Sequence, residues 1–208
     1  MRILITAGPT REYIDAVRFI TNASSGQMGY ALAAAATAAR CEVTLLSGPV
    51  ALKPPAGCRT VPFVSVGDLA GALAEHFPAC DVLVMAAAVG DFTVDRLSGG
   101  KLKRSRGPVS LQLQPTEDLL AACGKARRPG QRIVAFAVED GTPPEIEAKA
   151  QAKLLAKGAD YIVANPPSAI AQGESLACVL SADGVVLPWA ERSKEALAAE
   201  IVRIVVGK

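Results

Sequence analysis

Ile3-Leu4-Ile5-Thr6-Ala7-Gly8-Pro9-Thr10-Arg11-Glu12, continued by Arg18-Phe19-Ile20-Thr21-Asn22-Ala23-Ser24-Ser25-Gly26-Gln27-Met28-Gly29, decides how this chain folds. A short apolar strand runs into a polar, glycine-bearing loop, and an alanine-rich helix starts at the Ser-Ser-Gly. The first N–H groups of a helix have no partner inside it, and the helix dipole adds positive potential there. The segment therefore predicts an anion site. Gly26 and Gly29 are spaced like the last two glycines of a dinucleotide fingerprint, but the first glycine is missing. A phosphate-bearing ligand follows from this pattern; NAD does not.

Outward from that start, short β-branched runs alternate with longer alanine-rich segments. Strands are predicted near 2–6, 42–47, 59–63, 81–86, 131–137 and 160–164, and helices near 26–39, 67–76, 116–126, 143–157 and 193–206. Strands such as Val82-Leu83-Val84-Met85-Ala86 are apolar at consecutive positions, as required when helices cover both faces. The order predicts an α/β fold: a doubly wound, mostly parallel, Rossmann-like sheet. Asp183-Gly184 between two apolar runs predicts a C-terminal antiparallel hairpin over 176–188. The whole of 1–208 reads as a single domain, and the irregular stretch near 92–108, around Ser98-Gly99-Gly100 and Gly107-Pro108, as a mobile flap.

Composition narrows the classes. The chain has 208 residues, half of them hydrophobic, with a formal charge of +2, which argues for a well-buried core and against general nucleic-acid or membrane binding. Positive charge is nonetheless clustered at Lys101, Lys103, Arg104 and Arg106. Five scattered cysteines without a CxxC pair, and a single histidine, argue against a zinc site. No leader pattern and no membrane-length apolar run stand in the sequence, so a cytoplasmic protein is expected.

Ligands of open α/β sheets bind beyond the carboxyl ends of the strands. The first strand delivers Gly8, Thr10 and Arg11, and the loop beyond it Arg18, Asn22, Ser24 and Ser25. The fourth delivers Ala86, Ala87, Ala88 and Asp91; the fifth Phe136, Glu139 and Asp140; the sixth Asn165. Lys153 and Lys157, one helical turn apart, share a helix face. This rim is rich in cations and lacks an evident nucleophile, which suits nucleotide or phosphate binding with charge stabilisation. Each signal also has a plain structural reading. Ser-Ser-Gly can be a simple helix cap, the 101–106 run a solvated loop, and the lysine pair the wet face of a helix. Their common placement at strand ends favours a site.

A nicotinamide-dependent oxidoreductase is the competing class. Val43-Thr44-Leu45-Leu46-Ser47 ends without the acidic residue that holds an adenosine ribose. None of Tyr13, Tyr30 and Tyr161 has a lysine four residues on. A non-catalytic nucleotide-binding module is the other alternative.

Six segments, in order, resemble the phosphopantothenoylcysteine synthetases, the phosphopantothenate–cysteine ligases of coenzyme A biosynthesis. They are Ile5 to Glu12, Asp15 to Gly29, Ala86-Ala87-Ala88-Val89-Gly90-Asp91-Phe92, Lys101-Leu102-Lys103-Arg104, Phe136-Ala137-Val138-Glu139 and Ile162-Val163-Ala164-Asn165. The resemblance implies that 4′-phosphopantothenate and L-cysteine are joined at the expense of a nucleoside triphosphate. That nucleotide is CTP in most bacterial members, with ATP the less favoured choice here. An acyl-nucleotidylate forms, and pyrophosphate and CMP leave. By the same resemblance Lys101 is the flap lysine that meets the phosphates. Asn22 contacts the acyl group of the intermediate, and Arg18 supports the pantothenate side. Ser24, Ser25 and Gly26 take a phosphate. Ala87, Ala88 and Asp91 form the nucleotide loop, where Asp91 touches the cation or the ribose, and Phe136, Lys153 and Lys157 hold the cytosine nucleotide. A magnesium ion accompanies the triphosphate, no flavin is expected, and members are homodimers. The flavin-dependent decarboxylase fused to many bacterial members is absent from this sequence, so a separately encoded one, or an excised domain, is expected.

Two segments depart from the family pattern. Pro115-Thr116-Glu117-Asp118-Leu119 replaces the usual Asn-Pro-Asp-Ile, and Pro166-Pro167 follows Asn165 where an aspartate is usual, before a short loop through Gln172-Gly173-Glu174-Ser175. These changes bear on the choice of nucleobase and on dimer contacts.

Overall fold

In the computed structural model, which describes residues 1–95, 100–104, 107–170 and 174–207, the apolar runs form an eight-stranded sheet. Its strands are β1 (Arg2–Ala7), β4 (Glu42–Ser47), β5 (Arg59–Pro62), β6 (Val82–Met85), β9 (Arg132–Val138), β10 (Tyr161–Asn165), β11 (Glu174–Ser181) and β12 (Gly184–Ser193). Their order across the sheet is β12-β11-β10-β9-β6-β1-β4-β5. β1 pairs in parallel with β4 on one side and β6 on the other, so the winding direction reverses at β1/β6. A crevice opens beyond the strand ends at such a reversal. The sheet stays parallel through β10, and β11 and β12 are added antiparallel.

Consecutive apolar residues serve two cores. Leu4, Leu46, Leu83, Ile133 and Ile162 face α2 (Val66–His76), α3 (Leu119–Ala126) and α4 (Pro143–Lys157). Their neighbours Ile3, Leu45, Val82, Val134 and Val163 face α1 (Gln27–Ala38) and α5 (Lys194–Val206). Burial at about 25 cal/mol per Å² on both faces is what makes unbroken apolar strands favourable.

Local chemistry sets the helix ends. Ser65 and Asp68 form a reciprocal capping box at α2, and Thr142 and Glu145 another at α4, which also starts with proline and ends at Gly158. α3 begins at Leu119, three residues after the sequence-based start. Asp118 accepts from the Ala121 amide at 2.9 Å and so caps it there, while Thr116 donates its hydroxyl to the Gly90 carbonyl at 2.6 Å.

Two small hairpins were not legible from the sequence. β2 (Arg11–Tyr13) pairs with β3 (Phe19–Thr21), with the Arg11 guanidinium 4.5 Å from the Phe19 ring centroid. β7 (Phe92–Val94) pairs with β8 (Leu113–Pro115), so the expected flap is rooted in a two-stranded sheet. Positions 96–99 and 105–106 of that flap, Arg106 among them, lie outside the described residues, as do Gln172 and Gly173 of the late loop. No helix among the described residues is long and apolar enough to cross a membrane.

Candidate functional site

The β1/β6 crevice is a cleft of about 800 Å³, the place the winding reversal dictates. Its floor is the strand ends, and its walls are the start of α1, the loop after β6, the start of α3, one face of α4 and the side formed by β11 and the start of α5. Asn22, Ser24, Ser25, Gly26, Ala87, Ala88, Asp91, Phe136, Lys153 and Lys157 all line it.

Gly8 and Thr10 do not; they lie beneath it. The Gly8 carbonyl accepts from the Ala88 amide at 2.9 Å, and the buried Thr10 hydroxyl accepts from the Gly90 amide at 2.9 Å. The two residues therefore lace the loop after β6 onto the loop after β1. Thr6 adds a third stitch by accepting from the Ala87 amide at 3.0 Å.

The start of α1 is shaped for close approach. Gly26 has φ +78° and carries no side-chain cap, and a Cβ there would stand 2.9 Å from Val50 Cγ1. The Ser24 and Ser25 hydroxyls accept from the Gly26 and Gln27 amides at 3.3 and 3.5 Å. These are long, weak bonds, so the amides remain good donors for an incoming anion. Asn22, the next residue after β3, turns its amide onto the Ala88 and Val89 carbonyls at 3.3 and 3.1 Å.

Across the cleft the two α4 lysines share one face, as their spacing predicts, and each meets a carboxylate. Lys157 pairs with Asp118, whose carboxyl sits below the usual range under opposing influences. Burial raises it, while the lysine and the Ala121 amide prevail in lowering it. Lys153 pairs with Glu139. Three cleft carboxylates, Asp91, Glu117 and Asp118, are exposed. Among the described residues no cluster of three metal-ligating side chains forms. A magnesium ion held by one carboxylate and a ligand's own phosphates needs no such cluster, and Asp91 fits that part.

Arg18 and Lys101 stand apart from this cleft. Both line a second, more open depression with Leu102, Lys103 and Arg104, beside the β2–β3 hairpin. Sequence reasoning did not single out Ser175 and Lys194, which are buried in the wall of the main cleft. The Lys194 ammonium donates to the Ser175 hydroxyl at 3.3 Å, and burial lowers its pKa. The Ser193-Lys194 start of α5 reads as an ordinary cap, which hid them. Burial pushes the thiols of Cys80 and Cys123 up to about 11 and that of Cys178 to about 12, and none lines the cleft. The described cleft thus offers donors, cations and carboxylates, without an activated thiol nucleophile.

The profile of the DNA/pantothenate metabolism flavoprotein C-terminal domain family matches residues 1–207. The chain belongs to that family. A relative named cysteine/cysteine sulfinic acid decarboxylase, from an unspecified prokaryote, is 40% identical over 207 residues, covering 97% of this chain and 57% of that protein. The coenzyme A biosynthesis bifunctional protein CoaBC of Mycobacterium tuberculosis is 40% identical over 219 residues, covering 99% of this chain and 52% of that protein. The chain spans about half the length of these curated relatives. A crystal structure of the C-terminal domain of a CoaBC protein aligns with a TM-score of 0.80 at 36% identity, covering 98% of this chain and 93% of that one. The doubly wound fold with its antiparallel end is that of the family.

Proposed function

We propose that this chain is a phosphopantothenate–cysteine ligase domain of coenzyme A biosynthesis, working through an acyl-nucleotidylate. The observation that carries the reading is the cleft at the β1/β6 reversal. It gathers a helix start, an asparagine, an exposed carboxylate and a lysine pair, and no activated thiol lines it. Membership of a family whose relatives include coenzyme A biosynthesis proteins supports it.

In the proposed reaction the phosphopantothenate carboxylate bonds to the α-phosphorus of CTP, and the α–β anhydride breaks to release pyrophosphate. The cysteine amine then bonds to the acyl carbon, and CMP leaves. Neither step needs an enzyme nucleophile; both need charge neutralised and reactants held in place. The α1 amides near Ser24, Ser25 and Gly26 receive a phosphate group. Phe136 packs against the base, and Lys153 and Lys157 exchange Glu139 and Asp118 for the nucleotide. Asn22 sits at the lip to hold the acyl group, with Arg18 and Lys101 approaching from the second depression. Asp91 holds a magnesium ion, which supplies charge neutralisation on the triphosphate when bound. Residues 1–208 act as one domain in this account, the protein works as a homodimer, and a flavin-dependent decarboxylase supplies a partner activity.

The test is product formation. With magnesium, 4′-phosphopantothenate, cysteine and CTP, mass spectrometry should find phosphopantothenoylcysteine in molar step with CMP. Folded protein that makes no adduct with CTP or ATP, and that is stabilised by NADP instead, would move the chain to the oxidoreductase class. A ligand at about a hundred times its Kd adds about 2.7 kcal/mol, which is easily read in a melt.

A further inference from the structure

We propose that Asp15 is a positioning residue for Lys101: with Arg18 it clamps both backbone polar groups of Leu102 and fixes residues 100–104 against the β2–β3 hairpin. The inference rests on the reading of Lys101 as the lysine that meets the phosphates.

Asp15 is completely buried and divides its two oxygens between two tasks. Oδ1 accepts from the Val17 and Arg18 amides, both at 2.8 Å, and so builds the hairpin turn. Oδ2 accepts from the Leu102 amide at 3.1 Å and lies 3.2 Å from Arg18 Nη1. Arg18 Nη2 in turn donates to the Leu102 carbonyl at 2.9 Å. The turn alone needs one neutral acceptor, which asparagine supplies as well. A fully buried carboxylate is costly unless all its partners are in place. The charge at Oδ2 is therefore spent on the ion pair and on a segment 87 residues away.

The hairpin carries this placement to the main cleft. Its Thr21 hydroxyl donates to the Thr10 carbonyl at 2.6 Å, and Asn22 is tied to the Ala88 and Val89 carbonyls. One rigid piece thus joins Leu102, beside Lys101, to Asn22 at the cleft lip. The clamp sets the backbone of Lys101 relative to the acyl-holding asparagine, which is the kind of pre-ordering that raises kcat.

Asp15→Asn separates the two tasks. The Asn oxygen can keep the turn, whereas its NH2 group in the Oδ2 position faces two donors, the Leu102 amide and the Arg18 guanidinium. Hydrogen exchange at the Leu102 amide should quicken about tenfold or more, the equivalent of one lost hydrogen bond to a charged group. Tryptic cleavage after Lys101 and Lys103 should quicken with it. Turnover per folded molecule, with the folded fraction fixed by circular dichroism, should fall about tenfold with the KM for nucleotide little changed. If Asp15→Asn does not fold, Arg18→Met removes the other half of the clamp, and the same exchange and cleavage readouts apply. Unchanged exchange at Leu102 in a folded variant overturns the clamp whatever the activity. Faster exchange with full turnover, while Lys101→Ala is inactive, overturns the positioning role. If Lys101→Ala is itself fully active, the fault lies in the reading of Lys101.

Discussion

Replacing Gly29 with alanine tests how closely α1 must lie on β1 for the cleft to form. A Cβ at position 29 would stand 2.4 Å from Ala7 Cβ, 3.0 Å from Ala7 Cα and 3.1 Å from the Thr6 carbonyl oxygen. Carbon atoms rest about 3.5–4.0 Å apart, so the helix must retreat from the strand by about 1 Å. Two of the three obstacles are backbone atoms that no rotamer change removes. Alanine returns about 1 kcal/mol of helix propensity, while overpacking costs about 1–3 kcal/mol, and the immovable backbone places this case at the upper end. The net loss is about 1–2 kcal/mol, which lowers Tm by about 2–8 °C in a chain of this size. Binding should suffer more than stability, because the same retreat withdraws the amides beside Ser24, Ser25 and Gly26 from the anion. Displacements of about 1 Å cost up to about 100-fold where positioning matters. Calorimetric melting, with titration of CTP and magnesium into the folded variant, measures both. A raised Tm with unchanged nucleotide affinity would refute the close-approach argument and leave Gly29 an ordinary helical glycine.

Three further outcomes follow from the same geometry. Lys101→Ala should lose most turnover with an unaltered melt, since the side chain is exposed and buries no core surface; kinetics alongside circular dichroism decide it. Lys157→Met removes the pair with Asp118, a partly exposed contact worth about 0–1 kcal/mol, so stability should barely change while nucleotide Kd rises about tenfold. Arg2 holds the Asp81 carboxyl down to about 2 through its guanidinium at 2.7 Å and its amide at 2.8 Å. The folded chain then takes up this proton less readily than the unfolded chain. The stabilisation is present at neutral pH and fades as pH falls from about 4 through about 2. Asp81→Asn should lower Tm at pH 7 by the equivalent of about 1 kcal/mol, and the gap to the parent should close as the pH is lowered across that window.

The main sheet was legible because burial on both faces leaves a direct mark: consecutive apolar residues in Val82-Leu83-Val84-Met85 face alternate cores. The helix expected near 143–157 starts at Pro143, where the Thr142 cap fixes it. The β2–β3 and β7–β8 hairpins were not, because strands of three residues are too short for any period to show. Strand-end placement pointed to Asn22, Asp91 and Phe136, and helical spacing to the two lysines; all five line one cleft. Strand-end placement could not tell a lining residue from a supporting one. Gly8 and Thr10 are at the right strand end yet lie under the cleft, and only the backbone bonds to Ala88 and Gly90 reveal it. The partners of Lys157 and of Asp15 are distant in sequence, and no local pattern announces such pairs.

In the proposed reaction the carboxylate is activated on a nucleotide before the amine arrives. Pyrophosphate release, measured in the presence of magnesium with CTP or ATP, tests this order most directly when cysteine is withheld. A burst of pyrophosphate that requires 4′-phosphopantothenate and favours CTP is expected, followed by steady turnover once cysteine is added. Pyrophosphate that appears without phosphopantothenate, or none at all from folded protein with every substrate present, would contradict it.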